Sequence, residues 1–365
     1  MLATCCAAME KAVLSTEGLL AYCRPGFEPE LAAELSERAA MAGFPGYART
    51  ERNAGFVEFL GVEDGLELSR ALPWSTLIFA RQKMRLLADL PALDPKDRIS
   101  PIMESLGGRG RYGDLWVEHP DSDEGKQLAG LARSFGNALR PALRQRGLLT
   151  DKDDARLPRL HVLMLAGNHA MLASSDTKDS SPWPLGVPRL RAHADAPSRS
   201  ALKLEEALMM LLTEKERAEF IKPGMNAADL GAAPGGWSWV LARLHVRVLA
   251  VDNGPMAQTA MDMPIIEHIR ADGFRWQPPK PMDWLVCDMV ESPRKVADRM
   301  ATWFREGWCQ HAIFNLKLPM KKRWDETRDC LQHFTDHAGR PLTVRAKQLY
   351  HDREEITVYA GVYAG

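Results

Sequence analysis

The C-terminal half of the chain alternates short apolar runs with amphipathic segments. Apolar runs that predict strands occupy residues 225–230, 246–252, 284–288 and 312–316. Helical apolar spacing follows the first run at residues 237–244. Residues 202–212 have the spacing of an amphipathic helix. Strands that alternate with helices predict a parallel sheet covered by helices, which is a Rossmann-like α/β domain.

The N-terminal half has the pattern of two small α+β units. The first predicts strands at residues 18–23, 55–59 and 77–85, with helices at residues 28–42 and 64–71. This order suits a ferredoxin-like module. The second unit is predicted from segments at residues 98–106, 114–118, 125–146, 159–165 and 169–173.

A stretch rich in Ser, Pro and Gly interrupts both periodicities between the two halves, and we place a linker there. The predicted division is a leader at residues 1–15, a ferredoxin-like domain at 16–92, a second small domain at 93–174, the linker at 175–188 and the α/β domain at 189–365.

The sequence Asp229-Leu-Gly-Ala-Ala-Pro-Gly-Gly-Trp237 predicts a strand that turns through a glycine-rich loop into a helix. Gly231 lacks the Cβ that would block a tight turn or a close ligand, and Pro234 presets φ near the helix start. Gly235 and Gly236 would leave an open approach to the N–H groups of the first helical turn. A lone glycine cluster is as often a purely structural turn, but the surrounding residues favour a ligand. The glycines do not form G-x-G-x-x-G, which disfavours a dinucleotide.

Four acidic residues stand at or just after predicted strands: Asp229, Asp252, Asp272 and Asp288. Because the carboxyl ends of parallel strands meet at one edge of a sheet, we expect these acids to converge where ligands bind. Asp252 stands where a nucleoside-binding fold places its ribose-hydroxyl acceptor. Asp229 beside the loop would repel a phosphate and accept hydrogen bonds from a cationic or amino group.

Composition bounds the class of protein. The chain has 365 residues, with 47 basic and 48 acidic side chains and a formal charge of -1, so any nucleic-acid surface must be local. Its six cysteines lack metal-ligand spacing, which favours reduced thiols, argues against structural zinc and suits a cytoplasmic protein. The sequence shows neither a membrane span nor a secretory signal, and Cys5 and Cys6 fall in the predicted leader.

The motifs resemble those of the FtsJ-type ribose 2'-O-methyltransferases. The glycine loop and its acids are similar to the S-adenosylmethionine site of that family, and segments around Lys203, Lys317 and Glu355 are similar to three further family motifs. With Asp288 between them, the order reproduces a Lys-Asp-Lys-Glu tetrad. The long N-terminal extension and the Tyr350-His-Asp-Arg-Glu-Glu segment most resemble the ribosomal RNA large subunit methyltransferase M group.

The resemblance implies a fold, a reaction and a set of site residues. The fold would be a mostly parallel seven-stranded Rossmann-like domain preceded by ferredoxin-like and THUMP-like RNA-binding modules. The reaction would be methyl transfer from S-adenosylmethionine to the 2'-hydroxyl of a cytidine in the peptidyl-transferase region of 23S rRNA. We expect no metal and favour a monomer; the sequence leaves open the oligomeric state and whether the RNA is free or in a large-subunit precursor. The catalytic residues would be Lys317, Lys203, Asp288 and Glu355. The implied cofactor-binding residues are Ser200, Asp229, Gly231, Ala233, Pro234, Gly235, Gly236, Trp237, Asp252, Asp272 and Asp288.

The chemistry calls for such residues, because a ribose hydroxyl needs proton removal and alignment. Lys317 is the predicted general base. Burial beside Lys203 and a bound sulfonium would lower its pKa, while Asp288 and Glu355 would raise it, and the sequence leaves the balance open. In a strand, Glu354 and Glu355 point to opposite faces, so only one can enter the site. We choose Glu355, which precedes an apolar residue as in the family.

Local basic clusters make an RNA surface plausible: Arg133, Arg140, Arg144 and Arg146; then Arg189, Arg191, His193 and Arg199; then Lys321, Lys322 and Arg323. The last group places Trp324 beside the charges, as single-strand stacking surfaces do. Three rival functions stay open: 2'-O-methylation of another RNA, non-catalytic RNA binding on the same fold, and a nucleotide-dependent oxidoreductase. The last should show G-x-G-x-x-G and needs no lysine pair.

Overall fold

The computed structural model describes residues 17–362 of the chain. The predicted leader, including Cys5 and Cys6, lies outside the described residues. Four further cysteines, Cys23, Cys287, Cys309 and Cys330, are buried and unbonded. Among residues 17–362, none of the helices has both the length and the apolar character needed to cross a membrane.

The N-terminal half forms a single seven-stranded sheet with helices. Its elements are β1 (Gly18–Tyr22), α1 (Glu28–Met41), β2 (Tyr47–Arg49), β3 (Phe56–Leu60), α2 (Gly65–Ala71), β4 (Gln82–Leu90), α3 (Ile99–Leu106), β5 (Asp114–Glu118), α4 (Asp123–Lys126), α5 (Ala129–Gln145), β6 (Arg159–Ala166) and β7 (His169–Ser175). The strand order is β2-β3-β1-β4-β7-β6-β5, with only β5 and β6 parallel. Because β4 pairs with β7, the two predicted N-terminal units share this sheet.

The predicted strand at residues 77–85 is only partly right. Strand β4 begins at Gln82, and the apolar residues Leu77, Ile78, Phe79 and Ala80 form a buried segment before it. Backbone groups of this segment bond outside the N-terminal sheet: Gln348 N donates to Ile78 O at 2.9 Å. The apolar run therefore marks an interface between the two halves.

The C-terminal half is a second seven-stranded sheet. Its elements are α6 (Ala201–Leu211), α7 (Glu214–Phe220), β8 (Asn226–Leu230), α8 (Gly236–Arg243), β9 (Arg247–Val251), α9 (Gln258–Met261), β10 (Ile266–Ile269), β11 (Met282–Cys287), α10 (Pro293–Arg305), β12 (Cys309–Lys317), α11 (Arg323–His337), β13 (Leu342–Lys347) and β14 (Glu355–Val362). The strand order is β10-β9-β8-β11-β12-β14-β13. The first five strands are mutually parallel and β14 is antiparallel to both neighbours. The predicted Rossmann-like α/β fold class is confirmed.

This topology determines where the site lies. Strand β8 lies between β9 and β11 in the sheet. The chain leaves all three at the same edge, where parallel strands deliver their loops. Strand β14 enters from that edge because it runs antiparallel, so its first residue, Glu355, pairs with Lys317 at the end of β12.

Buried polar bonds and a shared core join the two halves. One apolar cluster includes both Phe79 from the N-terminal half and Phe334 from α11. Lys347, at the end of β13, is 2% exposed, and its ammonium donates to the carbonyls of Trp74, Leu77 and Ala80 at 2.7, 2.5 and 3.2 Å. The predicted linker packs against the N-terminal sheet, since Ser181 N donates to Gln82 Oε1 at 2.9 Å.

Candidate active site

The glycine loop after β8 needs glycine for backbone and packing reasons. Gly231 has a φ of 77°, and a Cβ there would lie 2.6 Å from Met289 Cγ. Gly235 has a φ of 111°, and its Cβ would lie 2.6 Å from Ala260 Cβ. L side chains are strained at such positive φ values. The loop therefore has a backbone course that these two glycines permit.

Gly236 was expected to leave an open approach to the first turn of the helix, but the structure shows that it permits close packing. A Cβ at Gly236 would lie 2.4 Å from Ser200 Oγ, so the missing side chain lets the α6 N-terminus pack against α8 and does not leave open space. Trp237 reinforces this contact, because its indole N–H donates to Ser200 O at 3.0 Å. Helix α8 begins at Gly236, so Pro234 precedes the helix and does not occupy its first turn. The Ala233–Pro234 peptide bond is cis.

Asp229 is the buried acid of the loop. Its side chain is 1% exposed and accepts a hydrogen bond from Ser238 Oγ at 2.6 Å. Burial raises the pKa of Asp229 to about 7; the Ser238 bond opposes the shift, and Asp288 and Asp252 add to it. A cationic ligand group nearby would favour the ionised form.

Asp252 and Asp272 lie at the same edge but make different contacts. Asp252 at the end of β9 accepts Ala233 N at 3.0 Å and Gly254 N at 2.7 Å, so it braces the glycine loop. A carboxylate has about four lone-pair positions and keeps capacity for a ribose hydroxyl. Asp272 has a 49% exposed side chain and accepts Phe274 N at 2.8 Å. The next residue, Gly273, packs near Leu230 and Met289.

The four predicted catalytic residues form one cluster. Lys317 Nζ lies 3.0 Å from Asp288 Oδ1 and forms a close ion pair with Glu355 Oε2. Lys203 Nζ, from α6, lies 3.2 Å from Asp288 Oδ2 and 2.5 Å from Glu355 Oε1. Each lysine therefore bridges both carboxylates. Glu355 is 4% exposed, whereas 27% of the Lys317 side chain is exposed, so the cluster opens on the Lys317 side.

Opposing effects determine the charge state of Lys317. Burial alone lowers its pKa, but Asp288 and Glu355 outweigh burial, and the net pKa is raised above that of a free lysine. For Asp288, burial raises the pKa, but Lys317 and Lys203 reverse the effect and the net pKa is lowered. Without substrates, both groups are held in their charged forms.

A buried chain of polar groups behind Asp288 escaped the sequence reasoning. Asn315 Nδ2 donates to Asp288 Oδ1 at 2.9 Å, and Thr357 Oγ1 lies 2.8 Å from Asn315 Oδ1 and 2.9 Å from Asp352 Oδ2. Burial and the nearby Glu355 raise the pKa of Asp352 well above its usual range. A protonated Asp352 can donate to Thr357, Thr357 to Asn315, and Asn315 to Asp288.

One signal in the sequence could have revealed this series of hydrogen bonds behind Asp288. Asn315 stands two residues before Lys317 and is the one polar residue in the run 312–316, and residues at that spacing share a face. A fully buried amide needs polar partners. Asn315 was therefore identifiable as a neighbour of the lysine, whereas its partner Thr357 comes from the next strand and was not.

The segment before Glu355 is bonded to α6. The carboxylate of Glu206 accepts Tyr350 N at 2.7 Å and His351 N at 2.9 Å. Glu354, the alternative to Glu355, is exposed and pairs with Arg323. The cluster therefore contains Glu355 and not Glu354.

The expected aromatic of the third basic cluster is not at the surface. Trp324 is 8% exposed, donates to Glu37 Oε2 at 2.7 Å and makes an edge contact with Phe79. The prediction of a stacking surface at Trp324 is wrong, because this ring packs between the two halves. On α5, Arg140 donates to Leu115 O and Arg144 to Thr150 O, while Arg133 and Arg146 are exposed.

The edge is chemically suited to S-adenosylmethionine. Asp229, with its pKa about 7, and Asp252 offer carboxylates for an amino group and a ribose diol. Within the described residues, no side chain caps the N-terminus of α8. Within residues 17–362, no group of three or more His, Cys, Asp or Glu side chains is arranged to hold a metal ion.

Comparison with known proteins places the chain in a family. Family models match at residues 16–84 (RlmM ferredoxin-like domain), 97–176 (ribosomal RNA large subunit methyltransferase M, N-terminal) and 196–319 (FtsJ-like methyltransferase). The first match supports the predicted ferredoxin-like module, while the exact domain limits stay a prediction. The solved structure of TrmN from Thermus thermophilus aligns over 95% of this chain and 100% of its own, at 17% identity and a TM-score of 0.33.

Two curated relatives match nearly the whole chain, and both are named ribosomal RNA large subunit methyltransferase M. The protein of Xanthomonas campestris pv. campestris (strain B100) is 67% identical over 94% of this chain and 99% of its own length. That of Stenotrophomonas maltophilia (strain R551-3) is 66% identical over 94% of this chain and 96% of its own. The resemblance in the motifs is confirmed, and the chain belongs to the ribosomal RNA large subunit methyltransferase M family.

Proposed function

We propose that this protein methylates large-subunit ribosomal RNA, transferring a methyl group from S-adenosylmethionine to the ribose 2'-hydroxyl of a cytidine in the peptidyl-transferase region of 23S rRNA. Family membership supports the rRNA substrate, since the relatives carry that name. The observation that carries the reaction is the Lys203–Asp288–Lys317–Glu355 cluster beside the glycine loop. An oxidoreductase would have no use for two lysines bridged by two carboxylates.

Lys317 acts as the general base in this mechanism. It is the more exposed lysine, at 27% of its side chain against 17% for Lys203, so a substrate hydroxyl can reach it. S-adenosylmethionine supplies an electrophilic methyl on a positively charged sulfur. The cluster contains two ammonium groups and two carboxylates, so its net charge is zero. An additional positive charge beside it favours the neutral amine of Lys317, which can then take the hydroxyl proton.

The other three residues position Lys317 and stabilise its protonated form. Asp288 and Glu355 each accept a hydrogen bond from Lys317, which fixes where its nitrogen points. Lys203 holds the same two carboxylates from the opposite side. Asp288 is in turn oriented by Asn315. After proton transfer, the two carboxylates stabilise the new ammonium ion.

The test combines a genetic and a biochemical measurement. Ribose methylation is mapped on 23S rRNA from a strain lacking this protein, and one cytidine in the peptidyl-transferase region should lose its methyl group. Purified protein should restore it in vitro, and Lys317→Ala should reduce the rate by about 100-fold to 10000-fold. Lys280→Ala, an exposed lysine before the amino end of β11 and so at the opposite edge of the sheet, is the matched control.

Binding of S-adenosylhomocysteine, measured by calorimetry, should be equal in wild type and Lys317→Ala. Binding of NADH instead would contradict the cofactor assignment. An active Lys317→Ala variant would show that Lys317 is not the base, even if the reaction class is right. A protein that binds 23S rRNA and transfers no methyl would be a non-catalytic member of the fold.

A further inference from the structure

Exposed apolar side chains lie next to the catalytic cluster. The described residues hold eight exposed large apolar side chains, and three of them, Val290, Met320 and Tyr350, are on the segments that carry Asp288, Lys317 and Glu355. Val290 is 89% exposed, Met320 84% and Tyr350 40%. Apolar side chains exposed on the segments that carry the cluster are accessible to a substrate bound there.

Chain length limits how far these residues lie from the cluster. A residue spans at most about 3.6 Å, so Val290 is within about 7 Å of Asp288 along the chain and Met320 within about 11 Å of Lys317. Tyr350 is within about 18 Å of Glu355 by the same measure, and its backbone contacts Glu206 one turn after Lys203. We call Val290, Met320 and Tyr350 the apolar rim.

Tyr350 is held in place before any ligand binds. Its N–H bonds Glu206 at 2.7 Å, and its carbonyl accepts a bond from Arg24 Nη1 at 3.2 Å. The guanidinium of Arg81 lies 5.3 Å from the centre of its ring, and the ring meets His351 edge-on at 5.3 Å. A ring fixed on these sides has little freedom to lose on binding, which favours its use as a contact.

We propose that the apolar rim holds the base of an unpaired nucleotide of the RNA substrate, with Tyr350 as its stacking platform. This inference rests on the proposed function. A duplex would present phosphates and hydroxyl groups to the rim and leave its apolar side chains without partners. The face of an unstacked base is apolar and pairs well with an aromatic ring. Exposed Lys321, Lys322 and Arg353 beside the rim suit the adjoining phosphates.

The experiment measures methyl transfer to protein-free 23S rRNA extracted from a strain lacking this protein. Tyr350→Ala should raise KM about 10-fold or more, and Tyr350→Phe, which keeps the ring, should stay within about twofold of wild type. Met320→Ala should raise KM by a smaller factor. Met41→Ala is the matched control, because Met41 is 82% exposed at the end of α1. Binding of S-adenosylhomocysteine should be equal in all variants.

Three results would overturn the inference. An unchanged KM in Tyr350→Ala would show that the ring does not contact RNA. A fall in kcat or in S-adenosylhomocysteine binding at constant KM would show that Tyr350 only shapes the segment before Glu355. A defect seen with ribosomal particles and absent with protein-free RNA would assign the rim to a protein partner.

A second readout separates this inference from the proposed function. Binding of a fluorescein-labelled single-stranded oligocytidylate is measured by anisotropy, with a duplex as competitor. If wild type transfers no methyl group but binds the single strand through Tyr350, the proposed reaction fails and the rim assignment stands. If Tyr350→Ala and wild type bind the single strand equally, the rim assignment fails whatever the reaction.

Discussion

Asp229→Asn should change how the stability of this protein depends on pH. The pKa of an aspartate is about 3.9 in an unfolded chain and about 7 for the buried Asp229. Because the folded-state pKa is raised, the contribution of Asp229 to stability is fully present below about pH 3.9 and is lost as the pH rises through 7. At about 1.4 kcal/mol per unit, the loss is about 4 kcal/mol in total, of which about 2 to 3 kcal/mol falls between pH 5 and pH 8.

Denaturant unfolding of wild type and Asp229→Asn at these two pH values tests the figure. The free energy of unfolding of the variant, relative to wild type, should rise by about 2 to 3 kcal/mol from pH 5 to pH 8. Other titrating groups are common to both proteins and cancel in this difference. Asp272→Asn, a half-exposed carboxylate at the same sheet edge, is the control and should shift by less than about 0.5 kcal/mol. If the difference in the free energy of unfolding between wild type and Asp229→Asn were the same at pH 5 and pH 8, Asp229 would not have a raised pKa in the folded protein.

Three further predictions follow from the cluster and the interface. Because the pKa of Lys317 is raised in the free protein and the proposed mechanism uses its neutral amine, kcat/KM should rise about tenfold per pH unit below that pKa. A flat pH profile of kcat/KM with chemistry rate-limiting would exclude Lys317 as the base. Thr357→Val removes the hydroxyl that bonds Asn315. It should lower kcat, measured by methyl incorporation, and leave the affinity for S-adenosylhomocysteine unchanged, measured by calorimetry. An unchanged kcat would show that Asp288 does not need Thr357 to be oriented. Lys347→Met leaves three buried carbonyls without their donor and should reduce the free energy of unfolding by about 2 to 4 kcal/mol, measured by denaturant unfolding. If the variant and wild type had the same denaturation midpoint and the same dependence on denaturant concentration, this prediction would be wrong.

The acids at the sheet edge and Lys317 were predictable because parallel topology sends successive strand ends to one place, whereas Lys203 on α6 was predicted from the family resemblance. Asp229 lies next to the end of one apolar run, Asp252 and Asp288 end two others, and Lys317 directly follows a fourth. The pairing of the strands brings these run ends to one edge. Strand alternation allowed only one of Glu354 and Glu355 into the site, and the family resemblance was needed to choose Glu355.

Contacts made through the backbone or from distant elements could not be predicted. The three-residue edge strand β2 has too short a pattern to detect. The run at residues 77–80 has strand-like hydrophobicity, but its burial comes from the other half of the chain. The sequence also could not decide whether Trp324 is exposed or buried. An aromatic residue beside charged residues suits an exposed stacking surface and a buried interface equally, and only the contact with Phe79 shows that it is buried.

The segment between β13 and β14 connects the catalytic cluster to the N-terminal half of the chain. Lys347 fixes the start of this segment to carbonyls of the N-terminal half, and Arg24 donates to Asp352 O at 2.6 Å near its end. Between them, Glu206 ties the segment to α6, three residues after Lys203. The segment then delivers Glu355. Lys203 and Glu355 must stay within hydrogen-bond distance of each other, and the element that spaces them is held partly by the N-terminal half. The geometry of the cluster is therefore a property of both halves of the chain.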